Sequence, residues 1–194
     1  MPLTIPNLLT LARIATIPIF VVVYLLQPNY GWFATAIFLA AAITDWLDGY
    51  LARRMGVESA FGAFLDPVAD KLIVCTALVL LVSNDFITSS VWSKPAFIIA
   101  VLIIVGREVS VAGLREWMAE TGNRASIASN ILAKIKTFTQ MAAIVLLLYA
   151  LPIANYPTLV IGEILLYIAT AMTVWSMIVY LRIAWPALAD RGDS

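Results

Sequence analysis

"TDWLDGYLARRMGVESAFGAFLDPVAD", residues 44–70, carries four aspartates, Asp45, Asp48, Asp66 and Asp70. It follows 31 residues, Ile14 to Thr44, that contain no Asp, Glu, Lys or Arg. On an α-helix, positions three, four, seven and eight apart share a face, so Asp45, Asp48, Gly49, Ala52 and Arg53 form one stripe. Gly62, Asp66 and Asp70, each four apart, form another. The small residues on these stripes let a helix or a ligand approach the backbone closely. Pro67 falls where a new helix can begin or where a kink is tolerated.

The surrounding composition places these acids in or beside a bilayer. Of 194 residues, 62% are hydrophobic and 12% charged, well outside the range of a soluble globular domain. A single domain, 1–194, is expected at this length. The formal net charge is zero, so no bulk attraction to nucleic acid is implied. One cysteine, Cys75, excludes an internal disulfide. No small-residue cleavage site follows the first apolar segment, so a secretory signal is not expected.

A membrane-spanning helix takes about 20 mostly apolar residues. Six such segments are expected, at roughly 7–27, 32–54, 63–84, 92–118, 126–150 and 158–185, giving an all-α polytopic protein. "SNDF…SS", "ETGNRAS" and "LPIANYP" separate the later ones. With both termini in the cytosol, eleven of the twelve Lys and Arg residues fall on the cytosolic side and Lys94 alone on the other. That asymmetry predicts the orientation. In an up-down bundle, Arg13, the Asp45–Arg53 group, Asp66–Lys71, Arg107–Glu108 and Lys134–Lys136 then reach one depth, a polar layer drawn from five helices.

A charge near the bilayer centre costs about 2.5–3.5 kcal/mol on insertion scales, so four cost on the order of 10 kcal/mol. Crowded carboxylates relieve their repulsion by taking up protons or binding a cation. An all-oxygen donor set favours Mg²⁺ or Mn²⁺, and the absence of histidine argues against zinc. Four acids suit two ions about 3.5–4 Å apart across a pyrophosphate. The EF-hand spacing is not met. An interfacial rim of acids is the plainer alternative. An acidic ring in a cation channel is another, though Arg53 and Lys71 interleave with the acids and would repel a permeating ion.

The pattern Asp45-x2-Asp48-Gly49-x2-Ala52-Arg53-x8-Gly62-x3-Asp66-x3-Asp70 resembles, at all eight specified positions, the signature of the CDP-alcohol phosphotransferases. These integral membrane enzymes transfer a phosphatidyl or similar group from a CDP-linked donor to an alcohol and release CMP. "IPNLLTLARI", "GREVSVAGLREWMAE" and "AKIKTFTQM" are similar to the bacterial branch whose donor is CDP-diacylglycerol and whose acceptor is sn-glycerol 3-phosphate. That resemblance covers most of the chain and implies a bacterial inner-membrane enzyme, open to the cytosol and often a homodimer.

By this resemblance the four aspartates hold two Mg²⁺ or Mn²⁺ ions, and Asp70 is the candidate general base. Gly49, Ala52, Arg53 and Gly62 resemble the nucleotide pocket of CDP-diacylglycerol, with Asn7, Thr10 and Ser59 as weaker candidates. The acceptor's phosphate calls for cations, and Arg suits its bidentate recognition. Arg107 and Arg115, eight apart, share a face. Lys134 joins them, whereas Lys136 lies about 200° round the same helix, so the two lysines cannot both point inward. The plainer reading of these four cations is as positive-inside anchors that snorkel to lipid headgroups. Glu108 and Glu116 are expected to orient the neighbouring arginines. The runner-up is another family reaction, with inositol phosphate or a phospholipid as acceptor.

Overall fold

The computed structural model describes residues 5–26, 31–55, 60–120, 131–153 and 156–189. Its helices are α1 (Ile5–Leu26), α2 (Gly31–Met55), α3 (Ala60–Ser83), α4 (Asp85–Ser90), α5 (Lys94–Glu120), α6 (Ile131–Tyr149) and α7 (Thr158–Ala189). Among the described residues the non-helical pairing is a lone bridge between Ile153 and Tyr156. The all-α expectation is met. Six long helices coincide with the six apolar segments, and the short α4 lies within what reads in sequence as a separator. Pro67 falls inside α3, which begins at Ala60.

The chain divides into two compact units. The first comprises residues 1–90 and 145–159. Its core joins Phe20 and Tyr24 of α1, Phe38 of α2, Ala77, Leu78 and Leu81 of α3, and Leu147 and Leu148 of α6, all buried. The Phe20 and Phe38 ring centroids are 6.2 Å apart. Asn84 caps α4: its Oδ1 accepts the Phe86 and Ile87 amides at 3.0 and 3.4 Å, satisfying donors that a helix start leaves over. Its Nδ2 donates to the Tyr24 hydroxyl at 2.9 Å, which ties the α3–α4 corner to α1. At Gly31 a β-carbon would sit 1.8 Å from the Leu148 carbonyl oxygen, so only glycine admits this approach of α2 to the end of α6. Ala150, at φ 57°, ends α6 in the left-handed conformation.

The second unit comprises residues 91–144 and 160–194. Phe97, Ala100, Ile104, Ala143, Ile144, Leu166 and Ala169 fill its interior. Glu163 of α7 is buried there, 2% exposed. Both its carboxylate oxygens accept the Trp92 amide at 3.2 Å, and Oε1 accepts the Tyr167 hydroxyl at 2.8 Å. The acid thus takes up one of the amides preceding α5, where Pro95 enters the first turn without need of a donor.

Many large apolar side chains face outward, among them Leu25, Leu26, Val79, Leu102, Phe138 and Trp175. Such a surface suits hydrocarbon rather than water. Lys94–Leu114 and Thr158–Arg182 are long and apolar enough to cross a membrane, and Thr10–Leu26 and Gly31–Asp45 are shorter apolar stretches.

Candidate active site

In the first unit, Arg13 rises from the third turn of α1 and is buried, its side chain 1% exposed. Its Nη1 donates to Asp45 Oδ1 on α2 at 2.6 Å. Asp45 keeps 38% of its side chain exposed. The guanidinium therefore fixes one carboxylate oxygen and offsets one negative charge without covering the acid. Arg13 is the one charged residue before Asp45 in the chain, which is the signal by which sequence could have singled it out as a partner. Thr10, one turn earlier on α1, is buried.

Asp70 is half-buried on α3. Asp48, Gly49, Ala52 and Arg53 lie along α2, and Gly62 and Asp66 along α3, but their side chains are outside the described residues, as are the side chain of Asn7 and the whole of Ser59. Among the described residues no three acids come together as a metal-binding group. The donor set nevertheless fits a hard divalent cation in kind, being carboxylate throughout with no histidine in the chain.

In the second unit, two helices supply one ionic network and a third braces it. Arg107 and Glu108 project from α5 and Lys136 from α6. Glu108 Oε1 accepts from Lys136 Nζ at 2.7 Å and from Arg107 Nη1 at 3.1 Å. Their side chains are 16%, 6% and 10% exposed for Glu108, Lys136 and Arg107. Arg107 also donates through Nη2 to the Ser176 hydroxyl of α7 at 3.2 Å, and its guanidinium lies 5.7 Å from the Tyr180 ring centroid. A cation over a tyrosine face is favourable, more so when desolvated. Among the described side chains, one carboxylate thus meets two cations at a nearly dry place.

The structure distinguishes the two lysines. Lys136 is the buried one that reaches Glu108, whereas Lys134 is exposed. Arg115 lies on α5 with its side chain outside the described residues, as does that of Glu116. The network thus brings Arg107 and Lys136 together and leaves Lys134 out. Ser176 and Tyr180 escaped notice in the sequence. Their signal is a stripe of hydroxyls, Thr173, Ser176 and Tyr180, spaced by three and four along an apolar helix.

Comparison with known proteins identifies the family. The family model for CDP-alcohol phosphatidyltransferase matches residues 3–175. The chain is 47% identical over 193 residues to a CDP-diacylglycerol–glycerol-3-phosphate 3-phosphatidyltransferase of Pseudomonas fluorescens, covering 98% of this chain and 94% of the relative. It is 43% identical over 193 residues to the Escherichia coli protein of the same name, covering 98% of this chain and 100% of the relative. It is also 41% identical over 194 residues to a CMP-forming cardiolipin synthase of Oryza sativa, covering 96% of this chain and 59% of that longer protein. The eight-position aspartate signature, its helical setting and these similarities have one conclusion: the chain belongs to the CDP-alcohol phosphatidyltransferase family.

Proposed function

We propose that this protein transfers the phosphatidyl group of CDP-diacylglycerol to sn-glycerol 3-phosphate, releasing CMP and forming phosphatidylglycerophosphate. The observation that carries this reading is the near full-length similarity, at 43–47% identity, to relatives named for that reaction. The buried cations agree with an acceptor that bears its own phosphate.

In this reading the whole chain acts as one catalytic domain in a bacterial inner membrane, with cytosolic termini and a cytosol-facing site, as a homodimer. Asp45, Asp48, Asp66 and Asp70 hold Mg²⁺ or Mn²⁺. When bound, such ions neutralise charge on the donor pyrophosphate. Arg13 keeps Asp45 oriented. Asp70 takes the proton from the acceptor hydroxyl as its oxygen attacks the lipid-linked phosphorus. The bond from that phosphorus to the bridging anhydride oxygen breaks, and CMP leaves with the electron pair. Asn7, Thr10, Gly49, Ala52, Arg53, Ser59 and Gly62 line the donor's nucleotide and phosphate. Arg107 and Lys136 receive the acceptor phosphate, with Arg115 as a further cation, while the exposed Lys134 stays outside the site.

The test is incorporation of labelled sn-glycerol 3-phosphate into lipid by the purified protein, given CDP-diacylglycerol and Mg²⁺, with CMP counted alongside. Matched label and CMP, both lost on chelation, are expected. CMP released with phosphatidylglycerol as acceptor, and none with glycerol 3-phosphate, would favour the second reading that the cardiolipin synthase relative suggests.

A further inference from the structure

Beside the ionic network, three buried polar atoms have no hydrogen-bond partner among the described residues: Arg107 Nε, Gln140 Oε1 and Thr173 Oγ1. Gln140 is 5% exposed and Thr173 fully buried. An unsatisfied buried donor or acceptor costs about 1–3 kcal/mol, and native interiors rarely keep several together.

Their placement is specific. Gln140 follows Lys136 by four residues on α6 and so shares its face, about 6 Å along the axis. Thr173 precedes Ser176, the Arg107 partner, by three residues on α7, and Ser176 donates to the Thr173 carbonyl at 2.9 Å. Each atom is thus within about one helical turn of the Arg107–Glu108–Lys136 network. Thr173 also breaks a habit of this chain. Thr35, Thr44, Thr139 and Thr170 return their hydroxyls to the carbonyl four residues earlier, at 2.7–2.9 Å. Thr173 makes no such bond, although its helix offers the same carbonyl.

The three atoms differ in what they require. Arg107 Nε offers a proton and needs an acceptor. Gln140 Oε1 needs a donor. The Thr173 hydroxyl can do either. A phosphate dianion alone would satisfy the arginine and leave Gln140 Oε1 unmet. A neutral polyol would meet the glutamine but bring Arg107 Nε only an uncharged acceptor, a weaker partner for a guanidinium than a phosphate oxygen. A polyol monophosphate supplies phosphate oxygens and hydroxyl protons together.

We propose that Gln140 and Thr173 are specificity residues, hydrogen-bonding a polyol monophosphate acceptor whose phosphate lies at Arg107 and Lys136. The assignment rests on the acceptor half of the function proposed above.

Two near-isosteric apolar replacements test it. Thr173→Val and Gln140→Leu are each expected to raise KM for sn-glycerol 3-phosphate about threefold to tenfold, the range of one hydrogen bond. KM for CDP-diacylglycerol should not move, the melting temperature should hold or rise, and Thr173→Ser should restore the wild-type KM. Both KM values unchanged in Thr173→Val and Gln140→Leu would overturn the assignment. So would a lowered melting temperature with both KM values shifted together, the signature of polar groups satisfied by structural water. Failure of the underlying reading is separate: it shows as wild-type protein that releases no CMP with this acceptor.

Discussion

Substituting Glu108→Gln removes one charge and little volume, and the structure sets the size of the effect. Lys136 Nζ and Arg107 Nη1 both donate to the same oxygen, at 2.7 and 3.1 Å, so these two nitrogens are at most about 6 Å apart. At an effective dielectric constant of about 20, two unit charges at that separation repel by about 3 kcal/mol. In the native protein the carboxylate offsets this. With glutamine the amide oxygen can still accept one bond, but the repulsion stands. Breaking a buried ion pair by removing one partner costs about 3–5 kcal/mol, in agreement. At about 2–4 °C per kcal/mol for a chain of this size, a loss of about 3–5 kcal/mol should lower the melting temperature by about 6–20 °C. Intrinsic tryptophan fluorescence in detergent micelles, scanned with temperature, reads it. The double variant Glu108→Gln with Lys136→Met removes both the acid and one cation and should recover most of the loss. A melting temperature unchanged in the single variant, or no recovery in the double one, would refute the reasoning.

Asp70→Asn should abolish CMP release while CDP-diacylglycerol binding, read by equilibrium dialysis with labelled donor, persists; wild-type-like turnover would remove Asp70 as the base. Lys136→Met should raise KM for glycerol 3-phosphate about tenfold or more, as loss of a charge-assisted bond does, whereas Lys134→Met, at an exposed position, should change it less than about twofold. Equal effects would mean that burial on Glu108 does not select the functional lysine. Gly31→Ala places a methyl against the Leu148 carbonyl, and overpacking of this kind costs about 1–3 kcal/mol. A melting temperature equal to wild type would show that α2 and α6 separate there at little cost.

The long helices were legible because each is an apolar run bounded by Pro, Gly, Asn or charge. α4 was not: six residues are too few for a helical period to show, and its cap, Asn84, gains force from Tyr24, sixty residues away in sequence. The aspartate stripes were legible because their spacing is local. The Arg13–Asp45 pair was legible only as a shared depth, since the contact itself joins two helices across 32 positions. The lysines show the limit most clearly. Their angular separation on α6 follows from helical geometry, so sequence states that at most one faces inward. Which one depends on where α5 presents Glu108, a property of packing rather than of either segment alone. The hydroxyl stripe on α7 was present in the sequence and carried no weight until Arg107 was found against it.

Glu163 bears on how the protein is made. A carboxylate within a spanning segment disfavours its insertion by about 2.5–3.5 kcal/mol at mid-helix, and less near an end. Glu163 is the sixth residue of α7, and its partners are Tyr167 on the same helix and the Trp92 amide ahead of α5. The Trp92 amide is synthesised some seventy residues earlier. α7 therefore carries an acid that the Trp92 amide, made earlier in the chain, is placed to receive. A chain whose α5 is mispositioned would leave Glu163 without that amide, at a cost no larger than the insertion penalty given above.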